Sequence, residues 1–463
     1  MKIARFAQVL SALLLVMAVS QPPGHTQTFT VLYSMGTNPK DLIYPREIGV
    51  LAQGPDGCIY STTQQGGEYG RGGIFKITPD GKWTVLHSFN NTDGAGPQSG
   101  LTLGSDGNLY GAAYGGGRGS GTIFKITPTG AFTLLYSFLN ANDGSFPISA
   151  PVEGQDGDFY GVTSYTNNQP GDAMYKITSS GKYTTLYTAT RAGAATLGGR
   201  GSTLIAGSDG NFYGTTFAGG ANNLGTIYKL TPDGKVTALH SFDGYHGSVA
   251  YSLIQASDGN LYGTCSEGVG YTGPSGFGLI YKLTLAGDYT VIHTFDGNSG
   301  SAPVATVIEG SDGNLYGDTR GGTGGGVIYR LAKDGTGFTV LHRFKAGEAG
   351  LDTIPLIQNT DGRFYGDSYV GGSKLTGLVY KLDAGLKPFV RPVLPWGKAG
   401  STVGILGQGL TGTTKVTFNG TPATFKVVSD TYLTATVPIG AASGPVKAVT
   451  PTGTLTSLPF QVK

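Results

Sequence analysis

An Asp-Gly pair with tyrosine three residues beyond the glycine occurs seven times, at Asp56, Asp106, Asp156, Asp209, Asp258, Asp312 and Asp361. The spacings are 50, 50, 53, 49, 54 and 49 residues. A steady period of this length marks a repeat architecture, in which each copy is one supersecondary unit that buries its apolar face against its neighbours.

One copy, Ser99 to Phe138, reads SGLTLGSDGNLYGAAYGGGRGSGTIFKITPTGAFTLLYSF. It divides into four strand-like pieces, SGLTLG, NLYGAAY, GTIFKIT and FTLLYSF, with the alternation expected of strands. The Asp-Gly between the first two pieces predicts a two-residue type I′ hairpin turn. TPDGK at Thr78 and at Thr231 repeats the device between the third and fourth pieces. A glycine-rich loop of variable length joins the second piece to the third. The chain holds 80 glycines, and their fixed offsets beside aromatic and β-branched residues speak for tight turns rather than disorder.

Four antiparallel strands repeated seven times predict an all-β fold, a seven-bladed β-propeller. The fourth-strand motif appears after six of the Asp-Gly turns, from Trp83 to Phe344, and the seventh repeat ends without it near Leu386. The missing copy, FTVLYSM, lies at the other end of the chain, Phe29 to Met35. This predicts that the N-terminal strand completes the last blade and closes the ring, leaving no open sheet edge. A solenoid would need no such displaced strand.

The expected organisation is a cleaved export signal over residues 1–20, a propeller over 28–386, a proline-rich linker over 387–395 and a small immunoglobulin-like sandwich over 396–463. The signal rests on Lys2 and Arg5 ahead of the apolar Val9 to Val19 and on small residues at Ala18-Val19-Ser20. It places the protein outside the cytoplasm, secreted, periplasmic or at the cell surface, with no membrane span after cleavage. A net charge of +2 without a basic block argues against a nucleic-acid partner. A monomer is expected. Cys58 and Cys265 fall in repeats one and five, too far apart in a ring for a disulfide, and are read as free thiols.

Two resemblances follow from these segments. The pattern GSDGNLYG, a Gly-Gly pair, then GTIYKLTPDGKVTALHSF resembles the Gloeo/Verruco (GloVer) tandem-repeat family of bacterial exported proteins, over nearly all of residues 50–385. Repeat three departs most, with the loop TNNQPGD and a fourth strand ending in Thr188-Ala189, and local irregularity is expected there. The C-terminal segment resembles the IPT/TIG domain through Gly404-Ile405-Leu406-Gly407-Gln408-Gly409-Leu410, Val416-Thr417-Phe418-Asn419-Gly420 with Ala423, and Ala435 to Pro438. That resemblance implies an immunoglobulin-like accessory module. Neither resemblance brings a set of catalytic residues.

The turn aspartates do not have the dense ligand spacing of a calcium loop, and turn chemistry accounts for them. His87, His240, His293 and His342 share one repeat position with Tyr33, Tyr136 and Tyr187. Equivalent positions on separate blades predict packing with one hydrogen bond each, not a metal cluster. No metal site and no cofactor are expected. The glycine loops lack the βαβ context of a phosphate cradle, and no G-x-S-x-G or H-E-x-x-H occurs.

The loops between second and third strands and the crossings between blades emerge on one face and vary most. Tyr69, Arg71, Tyr114, Arg118, Tyr165, Tyr271 and Arg320 make that face a mixture of aromatic and polar groups, suited to sugars or peptides. The expectation is an exported, non-enzymatic binding or scaffold protein contacting an extracellular glycan, an envelope component or a protein. The alternatives are a polysaccharide lyase or hydrolase acting at the channel mouth, which is fold-level analogy, and a purely structural surface protein.

Overall fold

The computed structural model describes residues 27–45, 51–139, 143–166, 169–188, 197–201, 203–268, 276–348 and 355–463. The expected export signal lies outside them.

The second repeat illustrates how the sequence sets each sheet. Thr102–Leu103, Leu109–Ala113, Thr122–Ile126 and Phe132–Ser137 pair antiparallel in chain order. The second and third strands are almost wholly buried, with Lys125 alone of intermediate exposure, while the fourth is half exposed. Gly161 shows why glycine follows tyrosine in the second strand of most repeats. The ring of Tyr175 in the third strand lies against it, and a Cβ there would overlap the hydroxyl.

The turns differ from the sequence expectation. Gly57 N–H donates to the Gly54 carbonyl at 3.0 Å and Gly54 N–H to the Cys58 carbonyl at 2.9 Å. Gly57 has φ +76°, while Asp56 is not in the left-handed region. This is a three-residue loop, a type I turn closed by a G1 bulge, and not the two-residue type I′ turn. The Thr78–Lys82 turn has the same form, with Gly81 at φ +97°. The Asp side chain explains the preference. Asp56 Oδ1 accepts the Cys58 N–H at 3.2 Å, which holds the type I geometry without a positive φ at the aspartate.

Seven sheets carry the repeat. Thr28–Ser34 is the outer strand of the last, antiparallel to Leu378–Asp383 with Thr28 opposite Asp383 and Ser34 opposite Leu378. A bulge interrupts every pairing of third and fourth strands, this one included.

Adjacent sheets meet through apolar clusters. Tyr110, Ile123 and Phe138 of blade two pack on Phe159 and Tyr175 of blade three. Met35, Tyr365 and Val379 of blade seven pack on Ile59, Phe75 and Ile77 of blade one. Each such side chain, fully buried, contributes about 1.5–3 kcal/mol. On the rim, the shared His/Tyr position stacks on the first aromatic of the next outer strand. His87 lies on Phe132 (4.0 Å between centroids), Tyr136 on Tyr183 (4.1 Å), His240 on Tyr289 (3.9 Å) and His293 on Phe338 (4.1 Å). The N-terminal strand supplies both links at the seam: His342 lies on Phe29 (4.1 Å) and Tyr33 on Trp83 (4.3 Å). Between blades three and four the next outer strand begins with Val236, and Tyr160 and Met174 pack on Phe212, Tyr228 and Leu230 there instead.

The histidines pack as expected, but only two bond at the tip. His87 Nε2 meets Asp93 at 3.0 Å and His342 Nε2 meets Glu348 at 2.9 Å. His240 and His293 Nε2 have no partner among the described residues. Cys58 and Cys265 are buried free thiols. In blade three the irregularity takes the form of extended second and third strands, Phe159–Thr166 and Gln169–Ile177.

The C-terminal strands form two sheets around Val390, Ile405, Val416, Phe418, Leu433, Val446 and Phe460, an immunoglobulin-like module. Among the described residues no helix is long and apolar enough to cross a membrane.

Candidate functional site

Alternate hairpins put the Asp-Gly turns on one face of the ring and the variable loops and crossings on the other. The two faces differ in what their polar groups are free to do.

On the Asp-Gly face the carboxylates are engaged. In all seven copies the tyrosine hydroxyl donates to the turn aspartate, from Tyr60 to Asp56 Oδ2 at 2.7 Å through to Tyr365 and Asp361 at 2.7 Å. Burial would raise the Asp56 carboxyl, but the Tyr60 hydroxyl and the Lys76 ammonium outweigh it and hold it below the usual value. Asp209 and Asp258 are lowered as well, burial there being outweighed by the Asn211 and Tyr213 and the Asn260 and Tyr262 side chains. Burial and the Asp56 carboxylate push the Cys58 thiol up to about 12, so it is not a nucleophile.

This same face receives the C-terminal module. Thr431 Oγ1 donates to the Pro55 carbonyl at 2.7 Å, and Thr360 Oγ1 donates to the Gly407 carbonyl at 3.1 Å. A Cβ on Gly57 would stand 2.9 Å from Thr431 Cγ2. The linker Arg391 reaches the innermost strands, donating to the Gln358 carbonyl and to Gln53 Oε1, each at 3.2 Å. Asn359 and Thr360 stand where the other copies carry Gly or Ala followed by Ser, Pro or Gln, and Asn359 Nδ2 donates to the Gly57 carbonyl at 3.0 Å.

The opposite face stays uncovered by the module, and of the residues expected there Tyr69 and Arg71 belong to blade one, Tyr114 and Arg118 to blade two and Arg320 to blade six. Tyr69 is 56% exposed and Arg71 beside it is exposed, its carbonyl accepting the Gly96 N–H at 2.8 Å. Arg118 and Arg320 are exposed. Tyr114 is half-buried and stacks on Phe146 at 4.8 Å. The Tyr165 backbone pairs with Ser145. Tyr271 lies outside the described residues.

Two features of this face escape the sequence reading. First, Tyr114 has counterparts four residues beyond the repeat tyrosine: Phe217 in blade four and Tyr369 in blade seven. Each is half-buried and paired with a ring from the following blade, Phe217 with Tyr251 at 5.0 Å and Tyr369 with Tyr44 at 4.9 Å. Counting four residues from each repeat tyrosine finds the first member of each pair, but the partners lie in crossings of irregular length. Second, Tyr44 (φ +59°), Phe146 (+57°), Val249 (+54°) and Ala302 (+49°) all occupy the left-handed region, one per crossing, where Gly96 (+55°) stands in another. Such backbone is costly for non-glycine residues, most of all for β-branched valine, and persists only where its surroundings enforce it.

The crossing carboxylates are used locally. Asp93 meets His87, Asp143 accepts the Tyr136 hydroxyl at 2.8 Å, and Asp296 accepts the Ser299 N–H at 2.7 Å. Among the described residues no three His, Cys, Asp or Glu side chains form a group able to hold a metal ion.

The Gloeobacter/Verrucomicrobia repeat matches residues 19–201 and 200–424. The chain belongs to the Gloeobacter/Verrucomicrobia repeat family. An IPT/TIG domain matches residues 388–462, which contain the C-terminal module. No curated protein matches this repeat protein in sequence. Among solved structures it is similar to a fungal alcohol oxidase of the AA5 family solved with copper, at 14% identity and TM-score 0.50, over 91% of this chain and 98% of that one. It is also similar to the extracellular domain of a hybrid two component system from B. thetaiotaomicron, at 13% identity and TM-score 0.52, over 94% of this chain and 57% of that one. At these identities the likeness is one of fold.

Proposed function

We propose that this repeat protein is an exported, non-catalytic binding protein. Its ring presents the loop face to an extracellular glycan, an envelope component or another protein. The observation that carries the reading is the division of labour between faces. The IPT/TIG module sits on the Asp-Gly turns, and the other face holds three aromatic pairs beside exposed Arg71, Arg118 and Arg320. Aromatic faces stack on sugar rings and on peptide side chains, while guanidinium groups meet hydroxyls and carboxylates. A glycan and envelope-fraction binding screen on the protein without residues 1–26 tests this, with Tyr114→Ala and Arg118→Ala as probes of the face. Binding that is lost in the variants supports the reading, and binding that survives both counts against the face.

The enzyme alternative, a polysaccharide lyase or hydrolase, has one observation in its favour. Asp367 is fully buried, and burial, with Asp318 of the neighbouring blade adding to it, pushes its carboxyl well above the usual value against an opposing contribution from Ser61. Perturbed carboxyls mark active sites more often than chance. Turnover of a polysaccharide by the purified chain, abolished in Asp367→Asn, would replace the binding reading with this one.

A further inference from the structure

Between the innermost strands and the C-terminal module lies a cavity of about 460 Å³. That is within the size range of small-molecule sites, about 300–1,000 Å³. Its walls are largely aliphatic: Leu51, Leu101, Leu103 and Leu356 from the ring, Leu406 and Leu458 from the module. Two charged side chains reach it, and they are not balanced. Glu309 is held by Lys333 and by the N–H and hydroxyl of Ser257, so its charge is met within the ring. Arg391 has no carboxylate partner among the described residues. Its guanidinium makes two hydrogen bonds, both to neutral oxygens, out of five possible donors. It is half-buried and lines the cavity. Burial lowers it from its usual value to about 10, which still leaves it charged at neutral pH.

A half-buried cation without a counter-ion is unfavourable, and an anion entering the cavity would offset that cost. A single guanidinium suits a monovalent planar carboxylate, to which it can donate in parallel, better than a phosphate dianion. The aliphatic walls require the rest of the molecule to be hydrocarbon. We propose that this cavity binds a small amphiphilic carboxylate, its anionic head on Arg391 and its hydrocarbon body between the ring and the module.

The test is calorimetric titration of the full chain with decanoate below its micellar range, with decanol as the uncharged control. Saturable one-to-one binding of decanoate, at least tenfold tighter than decanol, is expected. Arg391→Gln should weaken decanoate about tenfold to a hundredfold, as loss of a charge-assisted pair does, and leave decanol unchanged. Because Arg391 also touches Gln53 and Gln358, a second variant, Leu103→Trp, fills the cavity from the ring side and should block both ligands while the circular dichroism stays that of the parent. No saturable binding of decanoate by the parent chain, or binding that neither variant alters, would overturn the proposal.

Discussion

Glu153 Oε2 of blade three accepts the backbone N–H of Ser105, in the Asp-Gly turn of blade two, at 2.7 Å. The relationship recurs around the ring. Gln255 accepts from Ser208 at 2.7 Å, Glu309 from Ser257 at 2.6 Å, Gln358 from Ser311 at 2.7 Å and Gln53 from Thr360 at 3.1 Å. The last of these crosses the seam. Blade two carries Leu103 at this position, and the turn it faces in blade one carries Pro55, which has no N–H to satisfy. Blade four, with Ala206 facing Gln155, is the copy in which the acceptor is absent without that reason.

Removing this acceptor strands a donor against the next blade. Glu153→Ala should lower unfolding stability by about 1–3 kcal/mol, the cost of an unsatisfied partly buried amide. Leu103→Glu should also destabilise, since its carboxylate would meet a proline nitrogen. Urea denaturation of both variants checks this, and a Leu103→Glu protein as stable as its parent would argue against the clasp.

The N-terminal strand is the seam of the ring. Phe29→Ala removes the ring under His342 and should cost about 1–3 kcal/mol, stacking plus partial burial. Deletion of residues 28–35 should do more, because Leu378–Asp383 then becomes an open edge prone to pairing with other chains. Thermal unfolding and size-exclusion chromatography distinguish the outcomes: a single lowered transition for the point variant, and aggregation or loss of a cooperative transition for the deletion.

Stability should fall as the solution is acidified, in two ranges. Burial lowers His87, His240 and His293 below their usual value near 6.5, more than Asp93 or Asp243 and Asp296 restore. The unfolded chain therefore takes up these protons first, and stability present above about pH 6.5 is lost progressively below it. The lowered carboxyls of Asp56, Asp209 and Asp258 contribute stability above the usual carboxylate range that is lost as pH falls through their folded values. Melting temperatures from pH 8 to pH 3 check both ranges. His240→Phe with His293→Phe should shrink the upper one to the share of His87 and leave the lower one in place.

The docking of the module depends on Thr360. Its hydroxyl donates to the Gly407 carbonyl and accepts from Gln53 Nε2 at 2.7 Å. Thr360→Val should weaken docking by about 1–3 kcal/mol and leave the ring folded. Limited proteolysis reads this as faster cutting within 387–395.

Repeat, strand order and seam were legible because each copy restates the same turn and the same strand. Phe29 to Met35 could be matched to its sisters without coordinates. The turn type was not, because Asp-Gly serves both type I′ and the G1-bulged loop, and the choice is made by the Asp Oδ1 bond to the residue after glycine. On the loop face, Tyr114 was found from its position, but its partner Phe146 was not. A left-handed phenylalanine in a crossing leaves no trace in hydrophobic periodicity. The docking face was hidden too: nothing in the residue types of Asn359 and Thr360 shows that the module rests there.

Hydrogen exchange on the full chain, with and without the envelope polysaccharide fraction it binds most tightly, tests the assignment of faces most directly. The account predicts slowed exchange in 64–72, 114–121 and 217–225 and no change at the Asp-Gly turns. Protection confined to those turns or to the C-terminal module, with the loop segments unaltered, would contradict it.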